Sequence, residues 1–455
     1  MVQPGLWHNN GPSFFAAVVK MAEKHRILIL GGGFGGLVAA QTLRRADAEI
    51  TLIDKRNFHL FQPLLYQVAT GSLSPGEIAA PLRSVLSRQK NVEVLLGEAY
   101  DLDPVAKTVT LRDGAVFPYD TLLIATGSET SYYGHNEWRN NAPSLKTIEE
   151  ATAIRQKLLN AFEVAERAGS EAEARAWLTF VIVGAGATGL ELAGALAEIA
   201  RETLRHDFRR IRPEEAVIIL MEGGPRVLPS YPEDLSAKAE ALVTKLGVEV
   251  RKDTLVTKID TEGVDFKHGN TTGRFAAKTV IWTGGVNTTS FGRRVAERTQ
   301  ADTDRAGKIK VNPDLTVPGF PDIFVAGDLA DAKNEQGIPL PGVAQVAIQG
   351  GRYFGRVMLA RLANKPLPPP FRYFDKGDLA VIGRAAAVAN IFGVHVTGLL
   401  AWLVWLFIHL MYIVEFQSRV LVFIQWGFQY LTFNRGARLI TGSPEEVPAT
   451  RSHTA

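Results

Sequence analysis

The sequence contains no cysteine in 455 residues. This absence excludes structural disulfides, iron–sulfur clusters, thiolate zinc sites and every CxxC redox mechanism. Its nine histidines are scattered, without an HExxH pattern or a ligand-like pairing, so no metal site is expected. Charge is nearly balanced as well, because 50 basic and 47 acidic residues give a formal net charge of +3 and the basic residues are dispersed. Nucleic acid is therefore not expected as a partner.

The length of the chain predicts two or three domains with sizeable cores. Its first twenty residues have only a short apolar run and no basic leader, and they do not resemble a secretory signal. A natural start occurs at Met21, so the segment before it is either a disordered extension, to which we assign residues 1–23, or a misplaced start. We expect the catalytic domains to remain in the cytoplasm.

A glycine-rich turn follows the first apolar strand of the chain. Residues 27–30 predict this strand, and Gly31, Gly33 and Gly36 then hold the positions of a GxGxxG motif before a small-residue helix. The first glycine permits a tight turn, the second lets the backbone approach a pyrophosphate, and the third lets the helix pack on the strand. A second strand ends at Asp54, 23 residues after Gly31, where a carboxylate can accept a ribose 2′-hydroxyl. The pattern predicts a dinucleotide site.

The same pattern recurs in the second quarter of the chain. A strand over residues 180–183 leads into Gly184, Gly186 and Gly189, a helix follows, and a further strand ends at Glu222. The distance from these glycines to the acid exceeds the usual spacing, and we attribute this to a long, charged intervening helix. Two copies of strand, glycine motif, helix, strand and acid imply two nucleotides.

The remaining segments predict further elements of an α/β fold. We expect a helix around residues 78–88, a small β-meander that turns at Asp103, and a helical segment over residues 147–177. Two further strands end in glycine turns, and a helix is expected to begin near Val343.

A long hydrophobic run lies near the C-terminus. Residues 385–414 contain no Asp, Glu, Lys or Arg, so by length alone they qualify as a transmembrane helix. Arginines on both sides give no inside–outside bias. The next segment alternates a polar stripe (Ser418, Gln425, Gln429, Thr432) with apolar residues (Trp426, Phe428, Leu431), which indicates a helix lying in the membrane interface. The alternative is a buried core or dimer helix; membrane association is favoured, and spanning versus surface attachment stays open.

Eight motifs in this sequence resemble those of the type II NADH:quinone oxidoreductases, the single-subunit, non-proton-pumping NADH dehydrogenases. The likeness covers residues 24–438, and the motifs are specific as a set, although many flavoproteins share a single glycine loop. The motifs are GGGFGG from Gly31, FQPLLYQVATG from Phe61, YDTLLIATGS from Tyr119, VGAGATGLELAG from Val183, DIFVAGD from Asp322, AQVAIQGG from Ala344, DKGDLAVIGR from Asp375 and GLLAWLVWLFIHL from Gly398.

The resemblance implies an α/β fold with two Rossmann-like dinucleotide-binding domains, the NADH domain inserted in the FAD domain, and a C-terminal helical membrane-attachment region. We expect residues 24–145 and 310–385 to form the FAD-binding domain, and residues 146–309 the NADH-binding domain. Residues 386–440 would be membrane-associated helices that attach from one side without crossing, and residues 441–455 a tail.

The resemblance also implies where the cofactors bind. Non-covalent FAD would contact the first glycine loop, an ATG turn, an acid after a later strand, and the start of the helix near Val343. The residues of the FAD site are Gly31, Gly33, Phe34, Gly36, Asp54, Lys55, Pro63, Ala125, Thr126, Gly127, Asp328, Ala344, Gln345, Val346 and Lys376. The residues of the NADH site are Gly184, Gly186, Thr188, Gly189, Glu191, Glu222 and Gly285.

The implied chemistry is carried by a flavin, which needs no side-chain nucleophile. The helix near Val343 could direct backbone N–H groups at the negative charge of reduced flavin, and Lys376 could add a cation. Glu191, placed in the first turn of its helix, either complements the helix dipole or lies near the nicotinamide and flavin, where it or water would relay protons to the reduced quinone. Gln345 and Gln349 form either a solvated helix face or the quinone pocket. Glu191, Gln345, Gln349 and Lys376 are the catalytic candidates.

The sequence also favours a particular nucleotide and a particular activity. A carboxylate at Glu222 pairs with a free 2′-hydroxyl and repels a 2′-phosphate, which favours NADH over NADPH, although Arg226 lies nearby. The implied enzyme passes electrons from NADH to ubiquinone or menaquinone on the cytoplasmic side of the cell inner membrane, and a homodimer is left open. The alternatives are a soluble NAD(P)H-dependent reductase of a small redox protein and a non-catalytic NADH-sensing membrane scaffold.

Overall fold

The structure, a computed structural model, describes residues 24–432 and 435–441. The predicted extension at residues 1–23, and the predicted tail beyond residue 441, lie outside the described residues. Within them the chain forms two mainly parallel sheets with helices, several small antiparallel sheets, and a C-terminal pair of helices.

The N-terminal segment supplies most of the first parallel sheet. Four consecutive residues of its first strand, 27–30, are at most 2% exposed, as expected for a parallel strand covered on both faces. The strands are β1 (His25–Leu30), β2 (Ala48–Asp54), β3 (Phe58–Leu60), β4 (Ala79–Pro81), β5 (Val92–Leu96), β6 (Ala99–Asp103), β7 (Thr108–Leu111), β8 (Val116–Pro118), β9 (Thr121–Ile124) and β10 (Ser128–Thr130). The helices are α1 (Phe34–Thr42), α2 (Leu65–Ala69), α3 (Pro75–Ile78) and α4 (Leu82–Val85).

Two predictions fall in this segment. The β-meander is confirmed as the antiparallel sheet β6-β7-β8, and the Asp103 carboxylate accepts hydrogen bonds from the N–H groups of Val105 and Ala106 at its turn. The helix expected over residues 78–88 is wrong, because α3 ends where it was expected to begin and a strand and a short helix follow. Pro81 explains the break, since proline disfavours helical backbone at the residue before it.

The second segment forms a parallel sheet in the order β13-β12-β11-β17. Its strands are β11 (Thr179–Val183), β12 (Val217–Met221), β13 (Val248–Arg251), β14 (Thr254–Asp260), β15 (Gly263–His268), β16 (Thr271–Ala276), β17 (Thr279–Trp282) and β18 (Val286–Thr288). Its helices are α5 (Ile148–Glu166), α6 (Glu171–Trp177), α7 (Ala187–Glu198), α8 (Glu233–Lys245) and α9 (Ser290–Thr299). The helical segment expected over residues 147–177 is therefore confirmed, as two helices.

The long charged helix expected before Glu222 is shorter than predicted. α7 ends at Glu198 and continues only through one π-helical turn, Ile199–Thr203. Beyond it, the Glu166 carboxylate accepts hydrogen bonds of 2.9–3.0 Å from the backbone N–H groups of residues 209–211. These backbone groups are thus satisfied without a helix.

The third segment returns to the first sheet. It contains β19 (Ile309–Lys310), β20 (Thr316–Val317), β21 (Phe320–Val325), β22 (Ala330–Asp331) and α10 (Ala344–Leu362). β21 pairs in parallel with β9, which gives the sheet order β20-β21-β9-β1-β2-β5. The first sheet therefore takes its strands from two stretches of the chain, one before and one after the segment that forms the second sheet. The domain boundaries at residues 146, 310 and 386 stay predictions.

The C-terminal segment begins with an antiparallel sheet and ends with two helices. Its elements are β23 (Gly377–Gly383), β24 (Ala386–Ile391), β25 (Val394–Thr397), α11 (Gly398–Tyr412) and α12 (Phe416–Thr432). The apolar run at 385–414 is thus not one helix, and the helices expected from residue 386 start only at Gly398. Phe392 and Gly393 have positive φ angles of 49° and 86°, and they turn the run into a β-hairpin. Among the described residues, no helix combines the length and the apolar character that crossing a membrane requires.

Three of the four residues of the polar stripe of α12 face the protein rather than water, which reverses the orientation expected for an interfacial helix; the fourth, Thr432, is exposed. Ser418 is 8% exposed, Gln425 bonds the Glu77 carboxylate, and Gln429 bonds the backbone carbonyl of Ser72. Trp426, expected on the apolar side, is 8% exposed and donates its indole N–H to Gln67 Oε1 at 2.8 Å. The side opposite the body is apolar and exposed, as predicted for Phe428 and Leu431.

This exposed surface extends over both C-terminal helices and the hairpin. We call it the apolar face. It comprises Phe392, Val394, Leu399, Leu400, Leu403, Phe407, Met411, Tyr412, Phe416, Val420, Leu421, Phe423, Ile424, Phe428 and Leu431, each at least 39% exposed. A contiguous apolar surface of this kind marks an interaction site with a membrane or a protein.

Candidate active site

The first glycine loop connects β1 to α1 and has the geometry of a dinucleotide cradle. Gly31 has a φ of +102°, and a Cβ there would lie 2.3 Å from the Ala125 carbonyl oxygen. A Cβ at Gly36 would lie 1.8 Å from the Gly31 carbonyl oxygen, so the helix packs on the strand only without a side chain. At Gly33, by contrast, a Cβ would meet nothing within 4 Å. The middle glycine therefore borders open space, where a diphosphate can approach the backbone.

The second loop, between β11 and α7, repeats this geometry. Gly184 also has a φ of +102°, and a Cβ at Gly189 would lie 1.9 Å from the Gly184 carbonyl oxygen. A Cβ at Gly186 would meet nothing within 4 Å. Thr188, also predicted for this site, lies exposed in the first turn of α7. Both loops therefore fit a dinucleotide.

The two predicted acids lie at the ends of the neighbouring strands and face these loops. Asp54 Oδ2 accepts a hydrogen bond from the Gly32 N–H at 2.5 Å, and burial raises the pKa of this carboxyl. Glu222 Oε2 accepts from the Ala185 N–H at 2.8 Å, and its other oxygen accepts from the Gly224 N–H at 2.9 Å. Each carboxylate is thereby held beside its cradle, in the position expected for a ribose contact.

His59 also belongs to the first cradle, although no sequence motif points to it. Its Nδ1 lies 3.0 Å from the Gly32 carbonyl oxygen, and the ring of Phe34 meets its ring edge-on at 5.0 Å. Its Nε2 is buried without a partner among the described residues. Burial lowers the pKa of His59, so the ring is neutral near pH 7. Only the pairing of β3 with β4, which places His59 under the loop, reveals this neighbour.

The ATG turn and Asp328 come together at the ends of β9 and β21. Ala125 packs against Gly31, and Thr126 Oγ1 lies 3.5 Å from Thr289 Oγ1. Asp328 Oδ2 accepts a hydrogen bond from Ser128 Oγ at 2.8 Å. Lys146 Nζ lies 2.9 Å from the same hydroxyl and 3.8 Å from Asp328, so this acid is held by a lysine that the sequence did not indicate.

Three other predicted residues lie around these cradles. Pro63 is half-buried in a 3-10 turn, Gln62–Leu64, that leads into α2. Gly285 follows β17 with a φ of +71°. Lys55 is exposed. Their contacts to a cofactor stay predictions.

The first turns of α10 carry the predicted glutamines. Ala344 and Val346 lie in the first turn, and Val346 is buried. Gln345 Nε2 donates to the Gly377 carbonyl oxygen at 3.0 Å, while its Oε1 is buried without a partner among the described residues. Gln349 bonds both backbone groups of Phe374, at 2.9 Å each. The Gln349 amide thus fixes the backbone at Phe374 beside α10.

Lys376 shares a cavity with both glutamines. The cavity has a volume of about 240 Å³, and Tyr412, at the end of α11, also lines it. Lys376 Nζ lies 3.2 Å from the Tyr412 hydroxyl. The structure therefore brings together three of the four catalytic candidates at the border of the apolar face.

Glu191, the fourth candidate, lines a different cavity. It lies beyond the first turn of α7, contrary to the prediction, and so is not placed as a first-turn dipole acid. Its Oε1 accepts from the Val381 N–H at 3.4 Å, and burial raises its pKa to about 8. This cavity, of about 120 Å³, is also lined by Tyr66, Trp405 and Arg435. Glu191 is therefore protonated near pH 7. Its side chain reaches from α7 to the backbone of Val381 in the C-terminal segment.

Comparison with known proteins places these features in a family. The family model described as pyridine nucleotide-disulphide oxidoreductase matches residues 25–401, and the NDH2 C-terminal domain matches residues 376–435. Two type II NADH:quinone oxidoreductases of Mycobacterium tuberculosis, Ndh and NdhA, are 43% and 44% identical to this chain over 92% of its length, and cover 91% and 90% of their own. NDH2 from Plasmodium falciparum has a TM-score of 0.84 at 21% identity, over 91% of this chain and 100% of that one.

These comparisons confirm the predicted α/β fold with two dinucleotide-binding domains. They also identify the same family that the eight sequence motifs resemble. With 43% identity over nearly its whole length, the chain belongs to the type II NADH:quinone oxidoreductase family.

Proposed function

We propose that this protein oxidises NADH through bound FAD and passes two electrons to a membrane quinone, ubiquinone or menaquinone, without pumping protons. The observation that carries the proposal is the presence of two dinucleotide cradles of matching geometry in one chain of this family. A soluble reductase of a small redox protein would leave the apolar face without a purpose. A non-catalytic NADH sensor would need only one of the two cradles.

The first cradle fits FAD, and the second fits NADH. Bound FAD supplies the redox chemistry, since it accepts a hydride and gives up electrons in pairs or singly. Gly33 and Asp54 would hold the diphosphate and a ribose of FAD, and Asp328 its ribityl-phosphate arm. The backbone N–H groups in the first turn of α10, from Ala344 to Val346, would present the positive end of a helix to negative charge on the ring. Lys376 supplies a further cation nearby.

The second cradle favours NADH over NADPH. Glu222 would accept a ribose hydroxyl and repel a 2′-phosphate. Arg226 does not offset this effect, because its guanidinium donates to the backbone carbonyls of Tyr231 and Pro229 at 3.1 and 2.8 Å. A phosphate would have to displace both of these bonds.

The apolar face attaches the protein to the membrane from one side. Polar contacts on the inner side of α12 hold this helix on the protein, and its apolar residues are exposed on the outer side. The helix can therefore lie along a bilayer surface with its outer half in the acyl region. This arrangement suits peripheral attachment on the cytoplasmic side of the inner membrane. It also places the cavity of Gln345, Gln349 and Lys376 beside the lipid, where a quinone can enter.

Steady-state assays of the full-length protein in detergent test the proposal. We expect a flavin spectrum, and NADH oxidation that accelerates when a short-chain quinone is added. Gly33→Val and Gly186→Val form a matched pair, because each side chain would project into open space rather than into the protein. The first variant should lose flavin, whereas the second should keep flavin and show a higher KM for NADH. NADH oxidation that stays at its slow, oxygen-dependent rate with quinone present would overturn the proposal.

A further inference from the structure

The cavity beside the apolar face has two chemically different ends. Gln345, Gln349, Arg352 and Arg356 follow one another along a single side of α10, and all four line it. At about 1.5 Å per residue, the second arginine lies roughly 10 Å along the helix axis from Gln349. One end of the cavity is therefore neutral and polar, while the other carries guanidinium groups.

The charged end has an excess of cations. Arg352 and Arg356 are exposed, and neither forms an ion pair or hydrogen bond with any described residue. Arg372, across the cavity, pairs with Glu335. Asp375, next to Lys376, bonds the Gly377 N–H at 2.8 Å and the Tyr373 hydroxyl at 3.3 Å. No acidic residue is among those lining the cavity in the described part of the chain.

Neither arginine is among the residues that form the two dinucleotide cradles, although α10 packs on the first cradle where Gly351 meets Gly35. The FAD and NADH diphosphates belong at Gly33 and Gly186, on other helices. A quinone carries no negative charge, so its head needs hydrogen bonds but no cluster of guanidinium groups. Arginine stays charged at any working pH and binds phosphate in a bidentate manner. The charge therefore indicates a separate anionic ligand.

The rim of the cavity continues into the apolar face. Tyr412 belongs to both, and Phe374, 60% exposed at the rim, lies 5.9 Å from the ring of Phe392. A ligand with its anionic head at the arginines would thus lay its apolar part along exposed aromatic and aliphatic side chains. That combination describes a membrane phospholipid.

We propose that Arg352 and Arg356, with Arg372, bind the phosphate of an anionic phospholipid beside the quinone entrance. The inference rests on the proposed membrane attachment, and it adds a specific headgroup site to it. The protein would then prefer anionic membranes, and it would dock with α10 held close to the lipid surface.

Binding of the detergent-purified holoenzyme to vesicles tests this inference. We compare phosphatidylcholine vesicles with vesicles containing about one fifth phosphatidylglycerol, using wild type, Arg352→Gln/Arg356→Gln and a control, Arg305→Gln/Lys308→Gln, from a surface loop before β19. Because each basic residue near an anionic surface contributes about 1 kcal/mol, the first double variant should bind anionic vesicles about 30-fold more weakly than wild type. Its binding to phosphatidylcholine should not change, and the control should differ from wild type by less than about threefold.

Each alternative outcome overturns the inference in a recognisable way. Equal losses in the two double variants would show that charge acts diffusely and not through a site. Wild type that binds both vesicle types equally well has no headgroup preference. If millimolar inorganic phosphate raises the melting temperature of wild type but not of the arginine variant, with no vesicle preference, the site takes a soluble anion. Failure to bind either vesicle would overturn the membrane attachment as well, whereas NADH:quinone activity in detergent would be unaffected.

Discussion

Substitution of Gly194 by alanine tests how the NADH-binding helix is joined to the C-terminal segment. Gly194 lies on α7 against β23, and a Cβ there would lie 1.7 Å from the carbonyl oxygen of Ile382. Ordinary contacts of this kind begin near 3.4 Å, so α7 and β23 must separate by about 1.7 Å. The obstacle is backbone and cannot rotate away. Overpacking of this kind costs about 3 kcal/mol, which exceeds the roughly 1 kcal/mol gained from the helix propensity of alanine.

The consequence reaches the cavity of Glu191, because Glu191 lies one turn before Gly194 and bonds Val381 of the same strand. We expect the apparent Tm of the Gly194→Ala holoenzyme to fall by about 2–4 °C, with a weaker flavin signal at the transition. Gly427→Ala is the matched control: it lies inside α12, and its Cβ would meet nothing within 4 Å. A Gly194→Ala protein that melts within about 1 °C of wild type, like the control, would refute the packing argument.

Three further experiments probe buried or charged groups. Burial raises the pKa of Glu191 from 4.5 to about 8, so the folded state keeps a proton that the unfolded state loses across this window. The Tm of the wild type should therefore fall as the pH rises from 4.5 to about 8, and the Tm of Glu191→Gln should fall less over the same range. Equal dependence of Tm on pH in the two proteins would contradict the raised pKa of Glu191. Glu222→Gln should lower kcat/KM for NADH about tenfold and raise it for NADPH, since one charged hydrogen bond and one repulsion are removed; an unchanged ratio of the two values would sink the assignment. Arg435 pairs with Glu198 at 3.0 Å, with side chains only 9% and 20% exposed. Arg435→Met should lower the free energy of unfolding by about 3–5 kcal/mol, because it leaves the Glu198 carboxylate buried without its partner. The double variant Glu198→Gln/Arg435→Met should lose less. If the double variant instead loses the sum of the two single losses, the two side chains do not stabilise each other.

The glycine loops could be predicted from the sequence because their structure is local. A positive φ at Gly31, and the absence of room for a Cβ at Gly36, depend on neighbours a few residues away along the chain. The order strand, loop, helix, strand, acid fixes these neighbours. For the same reason the loop at Gly184 was recognised as a second copy. Local sequence is therefore sufficient for both glycine loops, although not for His59, which the pairing of β3 with β4 brings to the first one.

Features that depend on distant partners could not be read in this way. A polar stripe on a helix has the same spacing whether it faces water or protein, and only the partners at Glu77 and Ser72 settle the orientation of α12. The apolar run at 385–414 likewise has no charge to mark the turn at Phe392. Lys146, which holds Asp328 through Ser128, comes from a segment that carries no motif. The spacing of polar and apolar residues along a helix shows which residues share a face, but it does not show whether that face contacts water, lipid or protein.

The inward polar side of α12 separates two roles that a single helix usually combines. Its contacts with Gln67, Ser72 and Glu77 belong to the fold, whereas its outer side chains are exposed and serve the proposed membrane attachment. We therefore expect that this attachment can be removed without unfolding the enzyme. Replacing Phe423, Ile424 and Leu431, each at least 56% exposed, by lysine or glutamate should give a protein that stays dissolved without detergent and still reduces short-chain quinones. Attachment and catalysis would then be separable properties of this protein.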